Sequence, residues 1–318
     1  MNPYKALLAA LVTGVVAVAL VALAGDLPAT LEAAKGSSPM VLAAALGLAL
    51  ANYLIRSVKW FHLLRKLHPS IDYSGATAAF FAGLSMSMTP GKLGELLKAV
   101  MLKDTRQVPM SCTAPAVLAD RLTDLLSLLV LVTGGVLALG YGADVVLVGA
   151  AMCAVVMVAV LYPPLTNLLL KTLANVPRFG KHAAGLSETL RNCAALLRPA
   201  TLLYTVFLSA VAWFAECLAF YLILVDLGGQ PTLFHAVFIY SLGTIAGAVS
   251  MLPGGLIATE GSMLYLCATY FKLMAQGAAA AAVLLVRFCT LWFAVLLGSA
   301  VLFGHRELRR SLSFRPRS

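Results

Sequence analysis

LLYTVFLSAVAWFAECLAFYLILV, residues 202–225, carries a single charged side chain, Glu216. A helix of that length rises about 36 Å at about 1.5 Å per residue, more than the roughly 30 Å of hydrocarbon in a bilayer. Inside lipid the backbone has no water to bond, so a helix is the form such a segment takes. Working outward, Ala6–Ala24, Leu125–Leu139, Val145–Leu161 and Ala278–Phe303 read the same way, each near or above the length needed to cross. The chain as a whole agrees: 318 residues, 61% hydrophobic and 11% charged, with mean hydropathy +0.93, where soluble domains carry roughly a quarter charged residues. The sequence predicts an all-α, polytopic membrane protein, one integral membrane domain over 1–318.

The net charge of +10 would suggest a nucleic-acid partner in a soluble protein, but here the placement of Lys and Arg at helix ends makes it a topology signal, and no nucleic acid is expected. The connections Arg56–Lys66, Lys92–Arg106 and Lys171–Arg198 and the tail Arg306–Arg317 are basic, whereas Gly25–Lys35, Gly140–Asp144 and Asp226–Pro231 are poor in such residues. Basic connections stay on the cytoplasmic side. The count predicts six spanning helices, with helix two at about 40–62, helix three at 113–139, helix four at 144–162, helix five at 201–225 and the last at 278–303. Both termini are then cytoplasmic. Lys5 ahead of an apolar run ending in Ala22-Leu23-Ala24-Gly25 resembles a secretory leader, but the run is long for one and reads as a retained first helix. The six cysteines are scattered with no paired spacing, so they read as small packing residues. No metal and no cofactor is expected.

Two further apolar stretches are each split by a Pro-Gly break: Gly75–Met101 around Pro90-Gly91, and Leu233–Leu273 around Pro253-Gly254-Gly255. Such breaks are tolerated at membrane depth only where protein or a watery cavity satisfies the freed backbone groups. The first stretch is too short for two crossings and reads as a re-entrant hairpin; the second is longer, and its arms are read either as a hairpin or as two spans. A glutamate follows each proline, Glu95 five residues on and Glu260 seven. From glutamate to an intramembrane arginine the separations are 26 residues to Arg121 and 27 to Arg287. Upstream, Asn52 precedes Pro90 by 38 residues and Glu216 precedes Pro253 by 37. These matches predict two helix-hairpin-helix repeats, 40–140 and 200–304, inserted in opposite directions. An amphipathic cytoplasmic connection over 163–199 joins them, and 305–318 is a basic cytoplasmic tail.

Ionisable residues at membrane depth cost about 2.5–3.5 kcal/mol on insertion scales, so they need partners or a purpose. Asp120 and Asp124 stand one helical turn apart beside Arg121, which predicts a local salt bridge; with Lys98, they are equally read as glue between helices. Arg121 and Arg287 are suited to hold a phosphate in bidentate fashion, and the helices starting after the two breaks present positive ends to an anion. Glu95 and Glu260, in the first turns of those helices, are placed to accept a proton or pair with an amine. Asn52, Arg56 and Trp60 share one helix face with Lys59 beside it, which reads as an anchor for anionic headgroups or as a vestibule for a phosphorylated lipid. The five histidines lie near helix ends and form no ligand set. No nucleotide-binding loop, nucleophile elbow or zinc-protease motif is present, so no catalytic residue is assigned.

In the order NYLIRSVKW (52–60), TPGKLGE (89–95), LADRLTD (118–124), LPGGLIATEG (252–261) and RFCTLW (287–292), the chain resembles the lysylphosphatidylglycerol synthase transmembrane, or flippase-like, family. The resemblance implies a lipid-translocation role and points to Pro90, Gly91, Gly94, Glu95, Arg121, Asp124, Pro253, Gly254, Gly255, Glu260 and Arg287. Asp120 departs from it, since related sequences often carry glutamate before the arginine. No soluble aminoacyl-transfer domain is read after Ser318, so synthase activity is not implied.

The expectation is therefore a lipid transporter that passes a phosphate-bearing headgroup (phospholipid, aminoacyl-lipid or polyprenyl phosphate) through a midplane cavity, with Arg56 and Glu216 added to the residues above. The alternatives are a membrane-embedded transferase with Glu95, Asp124 or Glu260 as base, and a non-catalytic partner of a glycosyltransferase or synthase. Membrane lipids, an anionic headgroup foremost, are the expected partners; a second copy of the chain and a separate lipid-modifying enzyme are further candidates.

Overall fold

The computed structural model describes residues 14, 19–88, 93–140 and 183–305, with scattered positions between 144 and 162. These are helical or in turns, with no strand among the described residues. The helices are α1 (Leu27–Lys35), α2 (Pro39–Leu67), α3 (Tyr73–Leu84), α4 (Leu93–Arg106), α5 (Met110–Leu139), α6 (Ala183–Leu196), α7 (Pro199–Asp226), α8 (Leu233–Val249), α9 (Ala258–Leu264) and α10 (Gln276–Gly304).

Four of them, α2, α5, α7 and α10, are 28 to 30 residues long and apolar enough to cross a membrane. They coincide with the helices expected at 40–62, 113–139, 201–225 and 278–303, each extended at one or both ends. Their starts and stops follow local chemistry. Proline occupies the first turn of α2 and α7, where its missing N–H is no loss, and α5 ends at Gly140 in the left-handed conformation. Leu137, Leu203, Phe207 and Leu296 project from these helices with most of their surface uncovered, a costly arrangement in water that suits contact with lipid. Most of the expected first and fourth helices, the 163–182 part of the connection and residues 306–318 lie outside the described residues, although 19–24 and the described positions from 144 to 158 are helical.

Each of the two Pro-Gly-broken stretches forms two helical arms, residues 89–92 of the first lying outside the described residues. Arms α3 and α4 are 12 and 14 residues; α8 is 17, and α9 is seven before a wider π turn at Tyr265–Tyr270. None reaches the roughly 20 residues a spanning helix needs. Asp72 caps α3 by accepting the Gly75 N–H at 2.8 Å, and Thr232 with His235 forms a capping box on α8. The expected loop Gly25–Lys35 differs: an alanine-rich run with Pro28 in its first turn and Lys35 in its last folds as α1 and packs on the start of α10.

Helices α2 and α7 run antiparallel: Ser37 Oγ and the Ser38 N–H donate to Asp226, Asn52 Nδ2 donates to the Ala212 carbonyl, and Lys59 Nζ meets Ser209. The α3–α4 hairpin starts at the α2 C-terminal end, where Arg106 pairs with Asp72 at 3.1 Å. The α8–α9 hairpin starts at the α7 C-terminal end, where the Gln230 N–H donates to the Leu273 carbonyl. They thus enter the bundle from opposite ends. Packing between the halves is reciprocal: α3 lies on α10, and α8 on α5.

Candidate functional site

The tip of the second hairpin needs unusual backbone. Met251, Gly254, Gly255 and Ile257 all have positive φ, between 55° and 71°. A Cβ on Gly255 would stand 3.0 Å from Gly247 Cα, so the two arms touch backbone to backbone. A Cβ on Gly254 would lie 3.4 Å from Met88 Cα, just ahead of the first hairpin's break. The tip of the second stretch therefore stands against Met88, the last described residue before the first break. Pro90 and Gly91 lie outside the described residues; Gly94 and Glu95 lie on α4, their side chains also outside.

Beside this tip is a cavity of about 350 Å³. Arg56, Lys98, Arg121 and Arg287 contribute cations to its wall, and Asp124 and Glu216 contribute carboxylates. Three charge groupings meet there. In the first, Asp124 on α5 accepts from Lys59 Nζ at 2.6 Å, Arg56 Nη2 at 3.0 Å and Ser209 Oγ at 3.0 Å. Lys59 also pairs with Asp120 at 2.7 Å, and Arg121 lies 3.0 Å from Asp120 and 3.6 Å from Asp124. The expected Asp120–Arg121 bridge is thus present, but Lys59, 0% exposed, ties the two acids together. The guanidinium of Arg56 lies 5.0 Å from the Trp213 ring centre, and the Lys98 ammonium lies over Trp60 and Phe80 at 5.0 and 4.9 Å.

In the second grouping, Arg287 Nε donates to Glu260 Oε1 at 2.5 Å and its Nη2 to the Gly254 carbonyl at 2.9 Å. One guanidinium thereby ties the hairpin tip to the first turn of α9. A π turn at Phe288–Trp292 follows, and within it the Thr290 carbonyl accepts from Tyr53 Oη of α2. In the third, Glu216 on α7 accepts from Tyr240 Oη of α8 at 2.6 Å.

Several buried polar atoms have no partner among the described residues. Arg56 Nε and Trp213 Nε1 are donors without acceptors, and Glu260 Oε2 is an acceptor without a donor. Buried polar atoms are ordinarily satisfied, and exceptions next to a cavity point to water or a ligand.

The structure brings Arg56, Arg121, Asp124, Glu216, Gly254, Gly255 and Arg287 to this one cavity, with Glu260 held against Arg287; Pro253 opens the turn beside it. One expectation is overturned. Asn52, Arg56, Lys59 and Trp60 do not form an anchor at the membrane surface, because all four are buried against α5, α7 and other parts of the protein. Lys59, read only as a neighbour of the Arg56 face, was not counted among the site residues, and the tyrosines Tyr53 and Tyr240 escaped sequence reasoning. For Lys59 a signal existed: it lies three residues after Arg56 and seven after Asn52 on one helical face, opposite two acids spaced one turn apart.

The chain is 24% identical to a UPF0104 membrane protein of Methanothermobacter thermautotrophicus over 256 residues, 70% of this chain and 72% of that one. It is also 24% identical to a UPF0104 membrane protein of Pyrococcus horikoshii over 301 residues, 82% of this chain and 86% of that one. The model of the lysylphosphatidylglycerol synthase transmembrane region matches residues 7–298, nearly the whole chain, in which all five sequence motifs fall. A helical bundle with four helices long and apolar enough to cross a membrane and a charged cluster turned inward accords with that match, and the chain belongs to the lysylphosphatidylglycerol synthase transmembrane-region family.

Proposed function

We propose that this protein carries a phosphate-bearing lipid headgroup across the bilayer through the cavity between the two hairpin tips, its chains remaining in lipid. The observation that carries the reading is a cavity with four cations in its wall and two buried donors, Arg56 Nε and Trp213 Nε1, that lack acceptors among the described residues. An acceptor-rich anion such as a phosphate satisfies both needs. Two inverted repeats, 40–140 and 200–304, are the proposed frame; the antiparallel α2 and α7, hairpins from opposite ends and reciprocal packing support it. The proposed setting is a bacterial inner membrane with both termini cytoplasmic.

Arg287 is the natural first contact. Its hold on Glu260 is a charge-assisted pair that a phosphate oxygen replaces without leaving the guanidinium unpaired. The decisive experiment places purified protein in liposomes containing a fluorescent phospholipid or polyprenyl phosphate and follows the fraction reachable by an external quencher. Protein-dependent movement supports transport. No movement, with or without a proton gradient, removes it, and a new covalent lipid product on mass spectrometry would replace it with the transferase reading.

A further inference from the structure

The carboxylates around the cavity are not alike. Asp124 is in contact with two cations and close to a third, and Glu260 is paired with Arg287. Glu216 is 4% exposed, lines the cavity, and makes no ion pair among the described residues; its bond is to the Tyr240 hydroxyl. The groups that face it are Tyr53 and Arg56 from α2, Asp124 from α5, Tyr240 from α8, Arg287 from α10 and Cys217 on its own helix. Both arginines are already engaged, Arg56 with Asp124 and Arg287 with Glu260. A buried charge without a contacting counter-ion is expensive, and protonation is the cheapest relief open to a carboxylate. In the first half, Asn52 lies within one residue of the distance that separates Glu216 from its proline, and it is an amide that cannot titrate. Of this pair only Glu216 is a carboxylate.

We infer that Glu216 is the proton-carrying group of the cavity, protonated while an anionic headgroup occupies it and ionised when the headgroup leaves. The step changes one bond. Cavity water delivers a proton to a Glu216 carboxylate oxygen, the neutral acid no longer repels the phosphate, and release of that proton to water on the other side restores the repulsion that expels it. One proton accompanies one singly charged lipid, so the cycle moves no net charge. This rests on the transport reading for its substrate, whereas proton binding at Glu216 stands apart from it.

The test has two arms. Infrared difference spectra of the purified protein in lipid, titrated with acid, show a protonated-carboxyl stretch for the wild type that is missing in Glu216→Gln. In the second arm, liposomes hold fluorescent phosphatidylglycerol, a one-unit pH gradient and a clamped membrane potential. At one proton per lipid, the wild type enriches the label about tenfold in the leaflet facing the alkaline side. Glu216→Gln leaves the leaflet ratio near unity, and Glu216→Asp restores part of the enrichment. An identical infrared titration in Glu216→Gln overturns the assignment of the proton to this residue, even if no lipid moves. Lipid movement in the wild type with no response of the leaflet ratio to the gradient, or with the same response in Glu216→Gln, overturns the coupling.

Discussion

Replacing Asp124 by Asn removes one negative charge from the centre of the bundle and changes almost no volume. In the native cluster Arg56, Lys59 and Arg121 face Asp120 and Asp124, leaving one positive charge in excess. Asp124→Asn raises that excess to two, among side chains that are 0 to 9% exposed except for Arg121 at 30%. Water screens little there, and breaking a buried pair from one side costs about 3–5 kcal/mol. Set against a total of about 5–15 kcal/mol for a typical fold, the variant should be severely destabilised. Lys59→Met introduced with it returns the excess to one charge and replaces the buried ammonium with an apolar side chain of similar length. The double variant should therefore recover stability relative to Asp124→Asn, with a coupling of at least about 1 kcal/mol. The assay is equilibrium unfolding in mixed micelles followed by tryptophan fluorescence, with all four proteins of the cycle measured together. If Asp124→Asn costs under about 1 kcal/mol, or if the double variant is as unstable as the sum of the singles, then the cluster does not work as a network of buried compensating charges.

Gly255→Ala forces a side chain into the left-handed region, φ 67°, and against Gly247 Cα; it should cost at least about 1–2 kcal/mol, read as a lower thermal midpoint in detergent. Gly134→Ala, where an added Cβ meets nothing within 4 Å, is the control and should be neutral or stabilising. Arg287→Lys cannot hold Glu260 and the Gly254 carbonyl in the same fork; losing one charge-assisted bond, worth about 1.5–3 kcal/mol, should lower liposome translocation by about one to two decades. At the α3 N-terminus, the Gly75 N–H bond and Arg106 hold the Asp72 carboxyl below its ordinary value. Because its folded value is depressed, the stability it supplies is complete above the usual aspartate range and is lost as pH falls through the folded value. Asp72→Asn should accordingly flatten the acid side of the thermal midpoint against pH.

Much of the fold is legible because lipid leaves few solutions. A long apolar run with few charges has no choice but a helix, so α2, α5, α7 and α10 were readable, and their sequence limits fell short only by a few residues at the ends. The division of each stretch into two arms was readable from the Pro-Gly breaks; only the first stretch was judged too short for two crossings, and for the second a hairpin and two spans were both left open. Helix α1 was not, because nine residues with Glu32 and Lys35 among them are too short and too polar to register as a membrane element; its helix is secured by packing on α10, which no local pattern reveals. In the site, even spacing picked out Glu216, Glu260, Arg121 and Arg287. Lys59 was lost for a physical reason: a lysine near the basic end of a spanning helix usually reaches for headgroups. Only the acids of α5 and Ser209 of α7, distant in sequence, turn it inward.

Under the transport reading, the inward pairing of the arginines bears on how the cavity binds its headgroup. A guanidinium left bare in a buried cavity would hold a phosphate tightly and release it slowly, and movement across a membrane needs a site that can be left as well as occupied. Here Arg287 already holds Glu260, and Arg56 and Arg121 already hold Asp124 and Asp120. A phosphate arriving under the transport reading exchanges with a carboxylate, so its net gain is the difference between two similar pairs. Departure costs correspondingly little, because the displaced carboxylate remains within reach to return. Glu260→Gln tests this point apart from fold stability, since the amide still bonds Arg287 but competes less well. It should strengthen headgroup binding and slow release, seen as tighter retention of co-purified lipid together with slower translocation. Weaker retention would mean that Glu260 assists binding and that exchange is the wrong description.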